Sequence, residues 1–538
     1  MRNAVGAAVL TLVSLIAGAG RPADAQPSPR TLRIAMTATD VPTTTGMPNN
    51  GSEGMRFLGY PIFEALVLWD LSRPDQVATL RPGLAERWEQ DAADPRKWRF
   101  SLRAGVVFHD GTPFNADAVI WNLDRFFRND SPQFDPAGSA IARGRVSVLT
   151  AYRKLDDLAV ELETVRPISY TPYIVSNILL TSPNSWEQGG RDWARVAALP
   201  AAGTGPFRLT RFVPRQLVEL GRNDSYWDTN RRARLDRIVL LPMPEANTRL
   251  AALRSGQVDW IEVPPPDAIP SLRQAGFNIV TNSYPHVWPW VFAAGRQSSP
   301  TADPRVRQGL NYCFDRAEMV QLLNGTAEPS VGFFKPDDPN FGNPQNRYRL
   351  DAARGRALLA EAGFNAQRPL RLRIGISNSG SGQMLPLPMN EFLQQSLREN
   401  CGVEVAFEVV EWNTLLIALR SEPTAPGWLG ADAVNISLIS SDPSQMARWF
   451  LASSFSPRGS NSGQWRDEAF EAAFAALEVE ADPARVQALL RTAHERLVDN
   501  PPWLWVVHDL NPRAMSRRVR GFVSAQSWFQ DLTTVEMQ

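Results

Sequence analysis

An α/β protein of two or three domains is what this sequence predicts, and three observations carry that reading. At 538 residues the chain is too long for one hydrophobic core to organise. Strand and helix patterns alternate: residues 248–254 have helical spacing, Ser255-Gly256 stops them, and Asp259-Trp260-Ile261 resumes a strand. Beyond residue 350 a further series of αβ units forms what reads as a second lobe, separate from the first.

Composition narrows the class. Hydrophobic content of 43% is that of a globular protein, and the formal net charge is zero. A nucleic-acid or anionic-membrane partner is therefore not expected. Arg2, an apolar run over 4–19 and Ala23-Asp24-Ala25 read as an export leader, with the mature chain starting near Gln26. No Cys follows that site, so a lipid anchor through an N-terminal Cys is not expected. No later apolar stretch is long enough to span a bilayer. The expectation is a free periplasmic protein. The cysteines are Cys313 and Cys401. An exported chain can pair them, but one lies inside a helix pattern and the other just after one. Two buried thiols are the favoured expectation.

In chain order, residues 31–36 alternate as a strand. Residues 40–54 are rich in Gly, Pro, Asn and Thr and read as a long loop, the kind that carries function. In residues 98–102, Trp98, Phe100 and Leu102 form one face of a half-buried strand. Ala104-Gly105 breaks it and residues 106–108 are expected to resume it. Asp110-Gly111 is a turn pair, and Asn115 is placed to N-cap a helix bearing Val119, Leu123, Phe126 and Phe127. Residues 128–150 form a polar connection, where Arg143 and Arg145 read as solvated surface. Strands are expected at 158–163, 236–241, 370–376 and 403–409, and helices at 351–362, 389–400, 465–478 and 484–499. Gly203-Thr204-Gly205-Pro206-Phe207 reads as a tight turn entering a strand. It lacks the lysine of a phosphate loop.

Catalytic chemistry finds little support. The four histidines are scattered, with no H-E-x-x-H and no Cys–His cluster, so neither a metal site nor a cofactor is expected. His109-Asp110 has no partnered nucleophile nearby and reads as structural. Gly375-Ile376-Ser377-Asn378-Ser379 misses the nucleophile elbow at its fifth residue. A secreted hydrolase is the alternative from another class.

Several runs resemble the family 5 extracellular solute-binding proteins, the peptide, nickel and glutathione receptors of ABC importers. Arg103 through Arg125 follows "RxGVxFHDGTPxxAxDVxxxxxR". Residues 60–67 follow "YEGL" with Ala65 for Gly, and residues 203–209 follow "GTGPYxL". Asn223 to Trp227 follows "NxxYW", residues 303–316 follow "DxRVRxALxxAxDR", and residues 351–364 follow "DxxxAxxLLxEAGY". The resemblance implies the two-lobed periplasmic binding protein fold of class II, or cluster C, with an extra subdomain in the first lobe. The expected division is a leader over 1–25, lobe I over 30–285 with an insert at about 70–190, lobe II over 286–502, and a return to lobe I over 503–538. The implied role is that of a monomeric, non-enzymatic receptor that closes on a peptide-like or other small organic solute and delivers it to a membrane permease. A metal-chelate receptor of the nickel type and a glutathione receptor are alternatives on the same fold.

The resemblance also locates a ligand site. Asn50, Ser52, Glu53 and Gly54 match a ligand-facing segment of lobe I, and Asn435, Ser437, Ile439 and Ser440 one of lobe II. Trp412 matches an aromatic near the cleft. Peptide-binding members carry an Asp three residues before a "DP" pair. Here Ile439 stands there, before Asp442-Pro443, and Pro388-Met389 stand where dipeptide receptors carry an Arg. The expected ligand is therefore neutral or blocked at its ends, or an extended oligopeptide held by backbone bonds from 435–440, with Trp412, Trp288 and Trp290 as apolar surface.

Overall fold

Leu32, Ile34, Ala35 and Met36 are all fully buried and only Thr31 and Arg33 are half-buried, as suits a strand at the centre of the first sheet. The structure is a computed structural model that describes residues 30–538 apart from 50, 147 and 381, together with the backbone but not the side chains of 51 and 52. The expected leader and Asn50 lie outside the described residues.

Thr31–Met36 pairs in parallel with Arg237–Pro242 on one side and Trp260–Glu262 on the other. Leu217–Arg222 and Phe207–Val213 extend the sheet beyond the first of these. Arg513–Met515 and Asn278–Val280 extend it beyond the second. A separate four-stranded sheet, in the order Ala85–Gln90, Lys97–Leu102, Ala159–Thr164, Leu149–Asp156, forms the subdomain. Asn115 caps the helix Ala116–Phe127 by accepting from the Ala118 N–H. The strand expected at 106–108 is absent. Gly105 and Gly111 at positive φ fold that segment back on itself, leaving a single bridge between Val107 and Pro113. The loop expected over 40–54 ends sooner than that, because helical backbone runs from Gly51 through Gly59.

The second lobe has its own sheet, in the order Ala327–Pro329, Trp503–Asp509, His286–Phe292, Ala433–Asn435, Arg371–Ser377, Glu404–Val410, with Leu438–Ile439 also on His286–Phe292. The return to lobe I therefore falls after Asp509 rather than at 503, since Trp503–Asp509 is fully built into the second sheet. The chain crosses between lobes at 281–285 and 510–512, and the Asn282 N–H donates to Leu510 O across the pair. Period-2 alternation divides His286–Phe292. Trp288, Trp290 and Phe292 face the helices Pro304–Cys313, Ala352–Glu361 and Pro386–Cys401, whereas Val287 and Val291 join the core continuous with lobe I. Trp288 and Trp290 are thus lobe II core, not ligand surface as expected.

Cys313 and Cys401 form a disulfide, with Cα atoms 5.8 Å apart, which overturns the expectation of two thiols. The reason is helix packing. Family patterns have Ala at the positions of Gly309, Cys313 and Gly355. A Cβ on Gly355 would lie 2.5 Å from Cys313 Sγ, and one on Gly309 would lie 3.2 Å from Gly355 O. The glycines let the two helices approach closely enough to leave room for the bridge.

Candidate functional site between the lobes

The sequence motifs turn out to be mutual contacts that set the walls of a cleft. His109 Nδ1 accepts from the Gly203 N–H at 3.2 Å and its Nε2 meets Gly205 O at 2.9 Å, which clasps two motifs together. Both ring nitrogens are used, and burial pushes the imidazole down to about 4. Glu64 ties its own motif to two others. It accepts from Tyr226 Oη (2.6 Å), Trp227 Nε1 (2.7 Å) and Thr204 Oγ1 (2.9 Å). Arg125, fully buried, pairs with Asp135 at 2.6 Å and donates to Thr45 O, which anchors the loop after the first strand.

That loop leads into the lobe I part of the expected site. Glu53 is fully buried and accepts from the N–H groups of Thr37 and Ala38 and from Thr37 Oγ1. Burial and the nearby Glu262 push its carboxyl up, against the pull of Arg56 and Thr37. Gly54 is a close approach, because a Cβ there would sit 1.9 Å from Asn49 O. Arg56 pairs with Glu262 at 3.0 Å and donates to Asn511 Oδ1 at 2.8 Å, and Glu262 also accepts from Arg513 at 3.1 Å. This knot ties the loop to the second crossover. Glu53 and Gly54 hold backbone shape here. The Ser52 side chain lies outside the described residues.

In lobe II, Asn435 is fully buried, donates to Pro289 O and accepts from Asn390 Nδ2, so its amide is consumed within the lobe. The Ile439 carbonyl accepts from Trp449 Nε1, and the Ser440 N–H donates to Pro285 O. Ser437 Oγ accepts from Gln383 Nε2 at 3.3 Å. Pairing with Arg371–Ser377 stops at Val434, so residues beyond it have a strand partner on one side only. Trp412 is buried beneath Gly380, on which a Cβ would lie 2.3 Å from its ring, and its Nε1 has no hydrogen-bond partner among the described residues. A narrow cavity of about 50 Å³ opens beside Ser440 and Ser441, with Val77 and Gln526 of lobe I and Tyr284, Lys335 and His508 around it. Among the described residues no group of three His, Cys, Asp or Glu side chains is placed to hold a metal.

The lobes also touch elsewhere among the described residues. Arg166 Nη2 lies 2.6 Å from Glu478 Oε1, and Tyr170 Oη donates to the same oxygen at 2.8 Å. Ser460 Oγ donates to Gly144 O at 3.3 Å and accepts from Arg448 Nε at 3.0 Å. Arg145, expected to be solvated surface, is half-buried. Its Nη1 points at Met55 Sδ (3.2 Å) and its guanidinium lies 5.7 Å from the Trp528 ring. A charged residue in a polar stretch gave no hint of this, because the burial comes from groups far away in the chain.

Residues 79–457 match the model of the bacterial extracellular solute-binding proteins, family 5 Middle. The chain belongs to that family. As a solute-binding protein it is similar to the di/tripeptide-binding protein 2 of Pseudomonas aeruginosa, with 25% identity over 95% of this chain and 96% of that one. Its fold is that of the Helicobacter pylori periplasmic binding protein DppA in complex with the peptide STSA (TM-score 0.79, 18% identity, 94% and 98% of the two chains). It also matches a Pseudoalteromonas dipeptide-binding protein in complex with Met-Leu (TM-score 0.78, 19% identity, 95% and 100%).

Proposed function

We propose that this solute-binding protein is the periplasmic receptor of an ABC importer. It captures a peptide-like or other small organic solute between its lobes, closes on it and delivers it to the membrane permease. It acts as a monomer and does not turn the solute over. Export with removal of residues 1–25, and no lipid anchor, belong to the same reading. Family membership and the periplasmic peptide-binding relatives support it. The observation that carries the peptide-like part is the edge beyond Val434, whose backbone is paired on one side only. An extended ligand can add to such an edge by main-chain bonds. In this reading Ser437, Ile439 and Ser440 meet the ligand, with Trp412 behind Gly380 and Asn50 and Ser52 contributed from lobe I. Glu53, Gly54 and Asn435 act by fixing the backbone around them.

The test is to denature protein purified from its native host and identify what is released by mass spectrometry. One organic solute per chain, which also raises the melting temperature when added back, is the expected result. Incubation with peptide and ester libraries addresses the hydrolase alternative. Catalytic release of product, abolished by one Ser or His substitution, would overturn the reading.

A further inference from the structure

Arginines from both lobes converge where the cleft closes. Arg145 follows the helix Pro136–Arg143 of the lobe I subdomain, and Arg448 lies in the last turn of Pro443–Phe450 in lobe II. The bridge from Arg448 Nε through Ser460 Oγ to Gly144 O sets the Arg448 side chain against the backbone just before Arg145. A Cβ on Gly144 would lie 4.0 Å from Arg448 Nη2. Both side chains are half-buried, and among the described residues neither has a carboxylate within ion-pair distance. Arg448 Nη2 and Arg145 Nε and Nη2 donate to nothing among the described residues.

Each cation has a partial local explanation. Arg448 stacks on Trp449 at 4.3 Å and sits at a helix C-terminus, where positive charge is favoured. Arg145 lies over Trp528. Neither accounts for two like charges drawn together from opposite lobes, since like charges in a desolvated setting repel. Burial alone pushes the Arg145 guanidinium down to about 10. Burial, then Arg145 and exposed Arg420, push Arg448 down to about 9.

We propose that the solute carries a carboxylate that Arg145 and Arg448 grip together, so that the ligand's own charge is what allows the lobes to close. Two planar guanidinium groups suit the two oxygens of a carboxylate. This rests on the receptor reading above and sharpens it. It narrows the expected ligand, blocked at its ends or an extended oligopeptide: the positions of Ile439 and Pro388-Met389 offer nothing to an ammonium or carboxylate, but on this proposal a different part of the cleft offers two cations.

The test uses the full mature chain, the variants Arg145→Gln and Arg448→Gln, and two probes, N-acetyl-trialanine and its C-terminal amide, titrated by calorimetry. The wild type should bind the acid at least about tenfold more tightly than the amide, and either variant should lose that preference. Without any probe, each variant should melt no lower than the wild type, because a repulsion has been removed. Equal binding of acid and amide by the wild type, or an acid preference kept in both variants, would overturn the proposal. If neither probe binds, a lower melting temperature in both unliganded variants overturns it, and an unchanged or higher one supports it. A native solute that has no acid group and is held equally by the wild type and both variants overturns this inference alone. A protein that releases no solute and binds none from any library overturns the receptor reading itself.

Discussion

Single side chains in this protein do unequal jobs, and the difference lies in whether their polar atoms are already spent. Ile439 is buried at the unpaired edge of lobe II with its carbonyl held by Trp449 Nε1. Ile439→Asp buries a carboxylate at the edge proposed to meet the ligand, and the native solute should bind roughly tenfold or more weakly by calorimetry. Unchanged affinity would mean that Ile439 faces away from the ligand. The histidines make a second case. His109 and His494 each accept a backbone N–H, from Gly203 and Phe334, and burial holds both near 4, below the ordinary 6.5. Protonation would turn each accepted bond into a clash of two donors. A lowered folded value means that the stabilisation is complete above pH 6.5 and is lost as pH falls toward 4, up to about 3 kcal/mol for each ring. Melting curves between pH 7 and 4 should show that fall, and His494→Gln should make it shallower. A flat profile would contradict the neutral, accepting state.

At the scale of elements, the contact of Pro304–Cys313 with Ala352–Glu361 is the most testable. The disulfide closes a separation of 88 residues, for which loop entropy alone suggests about 4–5 kcal/mol and measured cases more often give 2–4. The double variant Cys313→Ala, Cys401→Ala should melt lower by a corresponding amount. Gly355→Ala should cost about 1–3 kcal/mol in the oxidised protein, because its methyl meets Cys313 Sγ. Combined with the two Cys→Ala changes, it should cost much less. Additive effects in that cycle would show that the glycine and the bridge are independent.

Over the whole molecule, closure depends on a few polar contacts made across the gap. Glu478 is almost fully buried and takes both Arg166 and Tyr170 from the other lobe. Glu478→Gln removes the charge but keeps the shape. It should shift the unliganded protein toward the open form and weaken solute binding several-fold, since each 1.4 kcal/mol of lost closure is about a tenfold change in population. A larger radius of gyration by small-angle X-ray scattering, collapsing again on addition of solute, is the expected signature. No change in radius would place the closing force of the unliganded protein elsewhere, at the crossovers or in other contacts between the lobes.

What the sequence determined by itself is the part of the structure written in local period and local chemistry. Trp98, Phe100 and Leu102 alternate because one face of that strand is buried, and Asn115 caps because its side chain reaches the Ala118 N–H. The ordered motifs carried the family and, through it, the two lobes. Only the tertiary structure decided what those motifs are for. Glu64, Thr204, Tyr226 and Trp227 are spread over more than 160 positions yet share one carboxylate. The glycines standing for alanine at 309 and 355 were a readable sign of the disulfide, but only to a reader who knew that those two helices touch. Asn435 resembled a ligand contact and is spent inside its lobe, whereas Arg145 resembled surface and is drawn in against Met55 and Trp528. Burial and counter-charge are properties of neighbours brought from distant parts of the chain, so no local pattern can encode them.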